Sequence, residues 1–301
     1  MIASTTLPQF YPTEFDTNWE FLVQQRISRL AKYVTIATIN GKEKTFNQLG
    51  ALSMQRVTTR AGKTRVSDTP TDKRWIRPFP YDLATVFDEW DEEFLGYTVL
   101  PTSETMQAHV MAYGRTCDQV IINGLEGITY SGETGTTPNS LGAGQIVANT
   151  FVSSGSPTTS GLTLAKLVKA KSILAKNEAF EEGIDELIFV YSQQQLDDLL
   201  NNVNEIKDIR YNDVKALVDG ANDRFMGFKF VRLELLTKNS TIRNCYAYVK
   251  KGIKFGDENR KSHMDILPTQ SHGLQIRTVA SLASCRMEEK YVVQVQCDEF
   301  A

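Results

Sequence analysis

The stretch that most limits what this chain can fold into is Pro101 to Gly124, PTSETMQAHVMAYGRTCDQVIING, which reads as one long capped helix. Met106, Val110, Tyr113, Cys117 and Val120/Ile121 recur at alternating steps of four and three, so the spacing puts them on one helical face. Thr102 or Ser103 can cap the first turn, and Glu104 stands where the helix dipole favours negative charge. Gly124 follows Asn123 and can take the left-handed conformation that closes a helix. Nothing along this helix points to chemistry. It reads as a beam from which the other elements hang.

A chain of 301 residues has room for one large domain or two smaller ones with a sizeable core. A net charge of −3 argues against a polycation built to coat nucleic acid. The first residues, MIASTTLPQFYPTEFD, lack the basic and apolar regions of a secretory signal. No apolar run approaches the ~20 residues that span a bilayer. Cys117, Cys245, Cys285 and Cys297 are scattered without a C-x-x-C pair, which predicts reduced, partly buried thiols in a cytosolic compartment.

Along the chain, Phe15, Trp19, Leu22, Val23, Ile27 and Leu30 predict a helix over Asp16 to Lys32, behind an arm with Pro8, Pro12 and free aromatics. Thr45 to Phe79 is polar and rich in β-branched residues, and the Ala61-Gly62-Lys63 step predicts a turn between strands at Met54–Arg60 and Lys63–Ser67. So polar a ribbon cannot stand alone; either it leans on a neighbour such as another copy of the chain, or it is a loose surface hairpin. Phe87 to Glu93, FDEWDEE, carries carboxylates at Asp88, Glu89, Asp91, Glu92 and Glu93 but lacks the alternation and central glycine of a calcium loop. It reads as a solvated or partner-facing acidic segment. Gly124 to Gly161 is a Gly/Ser/Thr/Asn-rich loop or hairpin region.

From Thr163 the pattern becomes α/β. A helix over Thr163–Lys176 turns Leu164, Leu167, Val168 and Leu174 inward and Lys166, Lys169 and Lys176 outward. Glu186–Tyr191 is a buried strand, and Ser192 with Gln195 forms a capping box ahead of a helix carrying Leu196, Leu199, Leu200 and Val203. A short helix over Asn212–Asp219 stops at Gly220. Strands follow at Phe228–Leu236, Cys245–Phe255 and Gly273–Ala280, then a half-buried one at Tyr291–Cys297 with a solvated second face.

These elements carry no recognisable catalytic pattern. His109, His263 and His272 match no zinc spacing, and His109 reads as a structural histidine beside the apolar face of the long helix. There is no nucleophile elbow, P-loop or His-Glu-x-x-His. Gly142-x-Gly144 lacks the preceding strand that a dinucleotide site requires. No catalytic, cofactor or metal residue is assigned.

The order of parts, with local sequence, resembles the major capsid proteins of tailed bacteriophages, the Hong Kong 97 fold. Ala112, Arg115, Asp118 and Ile121/Ile122 resemble the end of that family's spine helix. VYSQQQLDDLL at Val190–Leu200 resembles the strand and capped helix of its axial domain, and GFKFVRLE at Gly227–Glu234 and the final EEKYVVQVQCDE resemble its later strands. The resemblance covers nearly the whole chain in order. It implies an α+β fold with an N-terminal arm (1–44), an extended β-hairpin loop (45–80), a peripheral domain (81–162 and 284–301) holding a spine helix about 102–123, and an α/β axial domain (163–283). It further implies a structural protein that self-assembles through pentamers and hexamers into an icosahedral shell enclosing a double-stranded DNA phage genome.

A separate scaffolding protein, a portal and a decoration protein are the partners the resemblance implies. The place is the virion capsid, assembled in the host cytoplasm, with no membrane. Lys63 or any other single residue gives no ground for inferring covalent cross-links. Lys63, Arg65, Lys73, Arg74 and Arg77 bias the loop positive, so basic loop and acidic segment are expected to meet across a subunit boundary, where rim charges set register more than affinity. The alternatives are an encapsulin-like protein compartment, another virion component such as a tail protein, and an α/β enzyme binding a phosphate-bearing ligand at the Gly142/Gly144 loop.

Overall fold

The computed structural model describes residues 21–56, 58, 60, 62–64, 66–88, 102–203 and 224–299. Three α-helices appear among them: α1 (Thr102–Glu126), α2 (Leu164–Lys176) and α3 (Gln193–Val203). The strands are β1 (Thr35–Ile36), β2 (Lys44–Leu49), β3 (Thr71–Ile76), β4 (Phe79–Phe87), β5 (Thr129–Ser131), β6 (Thr137–Asn139), β7 (Ile146–Val147) and β8 (Leu187–Tyr191). After them come β9 (Arg224–Phe225), β10 (Phe228–Arg232), β11 (Lys238–Asn239), β12 (Ile242–Val249), β13 (Ile253–Leu267), β14 (Gly273–Arg286) and β15 (Val292–Asp298). They form three sheets, ordered β1-β13-β14-β4, β7-β15-β12-β8-β10-β9 with β11 on β12, and β2-β3-β5-β6. The class is the expected α+β.

The long helix exists but ends later than expected. Gly124 lies inside it, and the Gly127 N–H bonds to the Asn123 carbonyl at 2.7 Å beyond it. The glycine answers a packing need: a Cβ at Gly124 would sit 2.3 Å from Ser284 Oγ and 3.0 Å from its carbonyl carbon, so α1 presses directly on β14. Its buried face runs through His109, Gly114, Cys117, Asp118, Ile121, Ile122 and Leu125, and Val110 is exposed. The face is displaced because the helix is covered by β14 along one side and by residues 25–30 along another.

Those residues are not the expected helix. Residues 21–30 run without helix, followed by one 3₁₀ turn at Ala31–Tyr33; residues 16–20 of the expected element lie outside the described residues. The reason is Asp118, which takes their backbone and side-chain donors for itself. Gly114 lets the strap lie flat, since a Cβ there would be 2.9 Å from the Ser28 nitrogen.

The ribbon is displaced too. Its strands are β2 and β3, in register from Lys44↔Ile76 to Leu49↔Thr71, while no described residue of 51–70 is in a strand. Ile76 and Arg74 are buried and Trp75 half-buried at the ribbon's root, whereas every described residue from 49 to 73 is exposed. Alternation without a covered face does not hold a ladder. The Gly50 N–H to Pro70 carbonyl bond, 2.7 Å, closes the far end of the β2–β3 ladder.

The largest β element is longer than its sequence pattern predicts. β13 and β14 form a hairpin of 15- and 14-residue strands, and the expected Cys245–Phe255 strand is split by a 3₁₀ turn at Lys250–Gly252. His263 pairs across to Arg277, and His272 lies in the connecting turn. β15 lies between β12 and β7, and its burial leaves only Gln296 part-exposed, so the expected solvated face is absent. β8 is buried throughout, and the Ser192 N–H bonds to Gln195 Oε1 at 3.0 Å as the capping box requires. On α2, Lys166 is fully buried and Val168 half-exposed, the reverse of the expectation. The Asn212–Asp219 helix, Arg65 and most of the acidic segment lie outside the described residues. All four cysteines are buried and free, with burial pushing the Cys117 thiol up to about 11 and the Cys285 thiol up to about 12.

Candidate functional site

Two of the expected surface cations are engaged within the chain at the root of the ribbon, one of them buried. Arg74, on β3, is 4% exposed; its Nη1 donates to Glu289 Oε1 and Thr129 Oγ1, both at 2.9 Å, and its Nη2 to Glu289 Oε2 at 3.3 Å. A two-pronged pair of this kind fixes geometry as well as adding energy. It bolts the ribbon to the segment that leads into β15, so Arg74 is not offered to a neighbour. Arg77 pairs with Glu43 at 2.9 Å and stacks over the Tyr130 ring at 5.3 Å. Trp75 Nε1 donates to the Gly132 carbonyl at 2.7 Å. Together these contacts set the angle at which the ribbon leaves the body.

Lys63 and Lys73 remain exposed, as does Asp88. Arg65, Glu89, Asp91, Glu92 and Glu93 lie outside the described residues. The structure thus brings Arg74 and Arg77 together at the root and leaves Lys63 and Lys73 facing solvent. Exposed apolar side chains accompany them: Leu49, Leu52, Met54 and Val66 on the ribbon, Phe79 and Leu83 on β4, and Ile266 near the β13–β14 turn. Apolar side chains gathered on projecting strands mark contact surfaces.

Four buried polar hubs, which periodicity does not reveal, hold the projections in place. Asp118, fully buried, accepts from Gln25 Nε2 and Ser28 Oγ, and from the backbone N–H groups of Arg29 and Leu30, each at 3.0 Å. Lys166 Nζ donates to the carbonyls of Ser160 (2.6 Å), Gly161 (2.9 Å) and Gln296 (3.1 Å), tying α2 to β15; burial pulls its pKa down. Arg286 Nη1 donates to the Gly124 and Leu125 carbonyls at 3.2 and 2.6 Å, closing the end of α1 that a terminal glycine was expected to close. Burial lowers its pKa as well. The signal for three of them is present as a charged residue inside an apolar stripe: Asp118 beside Cys117, Lys166 beside Leu167, and Arg286 beside Cys285.

Glu299 is the fourth hub. It accepts from Arg243 at 2.9 and 3.1 Å, Lys238 at 2.9 Å, Gln195 at 2.8 Å and Ser192 at 3.0 Å. Burial pushes its carboxyl up, but Arg243, Gln195, Lys238 and Ser192 outweigh that and hold it at about 2, below the ordinary 4.5. A depressed acid stabilises the fold above its unfolded pKa and loses that contribution as pH falls. Stability on the order of 2–3 kcal/mol is therefore expected to disappear between about pH 4.5 and 2. Urea unfolding of Glu299→Gln at several pH values should show a flatter acid limb than the parent. An identical limb would remove Glu299 from the account.

The remaining candidates offer no chemistry. Gly142 and Gly144 belong to a three-residue 3₁₀ turn, Ala143–Gln145, and its N-cap, so no α-helix N-terminus faces a phosphate there. His109 is buried between Thr85 Oγ1 (2.9 Å) and Thr278 Oγ1 (3.2 Å), and burial lowers its pKa, as befits a structural histidine. Among the described residues no group of His, Cys, Asp and Glu side chains could hold a metal, and no helix is long and apolar enough to cross a membrane.

Comparison with known proteins gives a consistent picture. A family model described as phage capsid protein matches residues 7–299. No curated protein matches the chain in sequence. Among solved structures, the capsid of Ralstonia phage GP4 superposes with a TM-score of 0.71 at 9% identity, covering 100% of this chain and 98% of that one. The Cyanophage Pam1 capsid asymmetric unit gives 0.71 at 11% identity, with 99% of each chain covered. A chain from Mycobacterium phage Che8 gives 0.68 at 12% identity, covering 96% and 98%.

Proposed function

This chain belongs to the phage capsid protein family, and we propose that it is the subunit of an icosahedral shell enclosing a double-stranded DNA genome. It is a structural protein of the virion and not an enzyme. The observation that carries the shell reading is the ribbon: a span from 49 to 75 whose root is bolted by Arg74 and whose described residues to 73 all face solvent. An arm so firmly aimed and so poorly covered supports contact with another copy, and many weak contacts of that kind can close a symmetric shell.

Residues 45–80 would be the extended loop, and α1 the spine. Strand pairing favours grouping β4, β13 and β14 with the spine as the peripheral domain, and β8, β10, β12 and β15 with α2 and α3 as the axial domain. The terminal strand would then move to the axial domain, and the β13–β14 hairpin to the peripheral one. A separate scaffolding protein, a portal and a decoration protein would complete assembly in the host cytoplasm. Lys63 and Lys73 are the described loop cations left exposed to the acidic segment of a neighbour, with Arg65 proposed beside them from the sequence, since Arg74 and Arg77 are engaged within the chain.

Negative-stain electron microscopy of the purified protein, with and without a crowding agent, tests the reading. Closed shells or uniform five- and six-membered rings are expected. A protein that stays monomeric even with a scaffold would overturn it. Reversing Asp91 and Glu92 to lysine should impair those assemblies while the far-ultraviolet circular dichroism stays that of the parent. Normal shells from the reversed chain would end the acidic-segment proposal and leave the shell intact.

A further inference from the structure

We propose that the outer edge of β4 pairs antiparallel, across a two-fold axis, with the β4 edge of a second copy of this chain, and that this contact joins one ring of subunits to the next. The inference rests on the shell reading above and adds to it a second kind of contact. β4 ends its sheet: it pairs with β14 from Leu274↔Phe87 to Leu282↔Phe79, and among the described residues no strand pairs with its other edge. The two edges of this sheet are not alike. Beyond its short pairing with β1, β13 carries Asp257, Glu258, Arg260, Lys261 and Asp265, the charged pattern that keeps edges apart. β4 has one charged residue, Asp82, held by Arg277 at 3.2 Å, and one proline, Pro80. Phe79, Tyr81, Leu83 and Val86 are exposed along it. A long apolar edge of this kind is a template for an added strand.

The strand is complementary to itself, and that selects a second copy as the occupant. Full-length antiparallel pairing of Phe79–Phe87 with its own counterpart is centred on Leu83. Phe79 then stands opposite Phe87, Tyr81 opposite Thr85, and Leu83 opposite the second copy's leucine. These residues share the α1 face of the sheet, where Thr85 Oγ1 meets His109 Nε2 at 2.9 Å. On the other face Pro80 meets Val86 and Asp82 meets Ala84, so no like charges are opposed. Pro80 withholds at most one N–H per copy from the new ladder. Paired aromatic and aliphatic side chains of this kind are the unit of sheet stabilisation. A strand paired with itself is an isologous contact and must sit on a two-fold axis, which an icosahedral shell supplies between rings. The ribbon, aimed one way by its fastenings, makes instead the head-to-tail contact that closes a ring. Each β4 pairing is weak alone and is repeated around the shell.

Full-chain Leu83→Cys, oxidised with copper phenanthroline and run on a non-reducing gel, provides the test. Directly opposed residues of an antiparallel pair hold their Cβ atoms about 4.5–5.5 Å apart, near enough for a disulfide to form with small adjustment. The four native cysteines are buried, so the introduced thiol is the accessible one. Disulfide-linked dimers are expected from Leu83→Cys, and none above the parent from Ile266→Cys, an exposed position on the charged edge. A Leu83→Cys dimer band no stronger than that of Ile266→Cys would overturn the inference. Preferential linkage of Leu83→Cys to Leu52→Cys in mixed subunits would overturn it in favour of a neighbour's ribbon on this edge. Leu83→Lys opposes two lysines at the axis. Its circular dichroism and its five- and six-membered rings should match the parent's, while closed shells are lost. Shells from Leu83→Lys would refute this inference alone, whereas a parent chain that forms neither rings nor shells, even with a scaffold, would refute the shell reading itself.

Discussion

Replacing Asp118 by alanine is expected to destabilise the subunit by about 3–5 kcal/mol and to free residues 25–30 from the long helix. The carboxylate is fully buried and accepts four hydrogen bonds, two of them from backbone N–H groups that have nothing else to bond to once it is gone. The Leu30 N–H is buried, so its loss is not made good by water. Urea unfolding gives the size of the effect, and limited trypsin digestion at Arg26 and Arg29 reports release of the strap. The Asp118→Asn variant keeps one accepting oxygen and should fall between alanine and the parent. An alanine variant as stable and as trypsin-resistant as the parent would show that Gly114 and Leu30 packing alone hold the strap.

Replacing residues 51–69 with a short Gly-Ser turn is expected to abolish shell formation and leave the isolated subunit's stability within about 0.5 kcal/mol of the parent. The contrast follows from burial. The described residues of that span are all exposed, while the bolts at Arg74, Trp75 and the Gly50–Pro70 bond lie outside it or at its edge. Microscopy and thermal unfolding on the same preparation separate the two properties. Shells formed normally without the span would move the inter-subunit contact to β4 and the β13–β14 turn, whose apolar residues are also exposed.

Periodicity carries the parts of this fold in which one face decides. The apolar run of β8, the Gln195-to-Ser192 N–H half of the capping box and the long helix all stand in the structure. It fails where a polar group, not an apolar stripe, sets the conformation. The heptad-like spacing of Leu22, Val23, Ile27 and Leu30 is a good helix pattern, but Asp118 gathers the same donors into a strap. Lysines usually face solvent, yet three carbonyls from two other segments meet the Lys166 ammonium group. Such partners lie up to 130 residues away and leave no periodic trace. The candidate site is legible in part: the ribbon's existence follows from composition, but Arg74 and Arg77, which look like surface charge, serve as its fastenings. The relation to capsid proteins is legible in the order of parts, at identities of 9–12% to the solved structures where no single motif suffices.

The position of β15 has a consequence for synthesis. Residues 292–298 are an interior strand, paired to β12 on one side and to β7 on the other. On a ribosome, where folding follows the emerging chain, β7 has no described strand to pair with from residue 147 until residue 294 appears. No truncated product lacking that strand can complete the sheet. A translation error that ends the chain early therefore yields a molecule unable to compete for a place in the lattice. Quality control of the building blocks is in this way written into the topology.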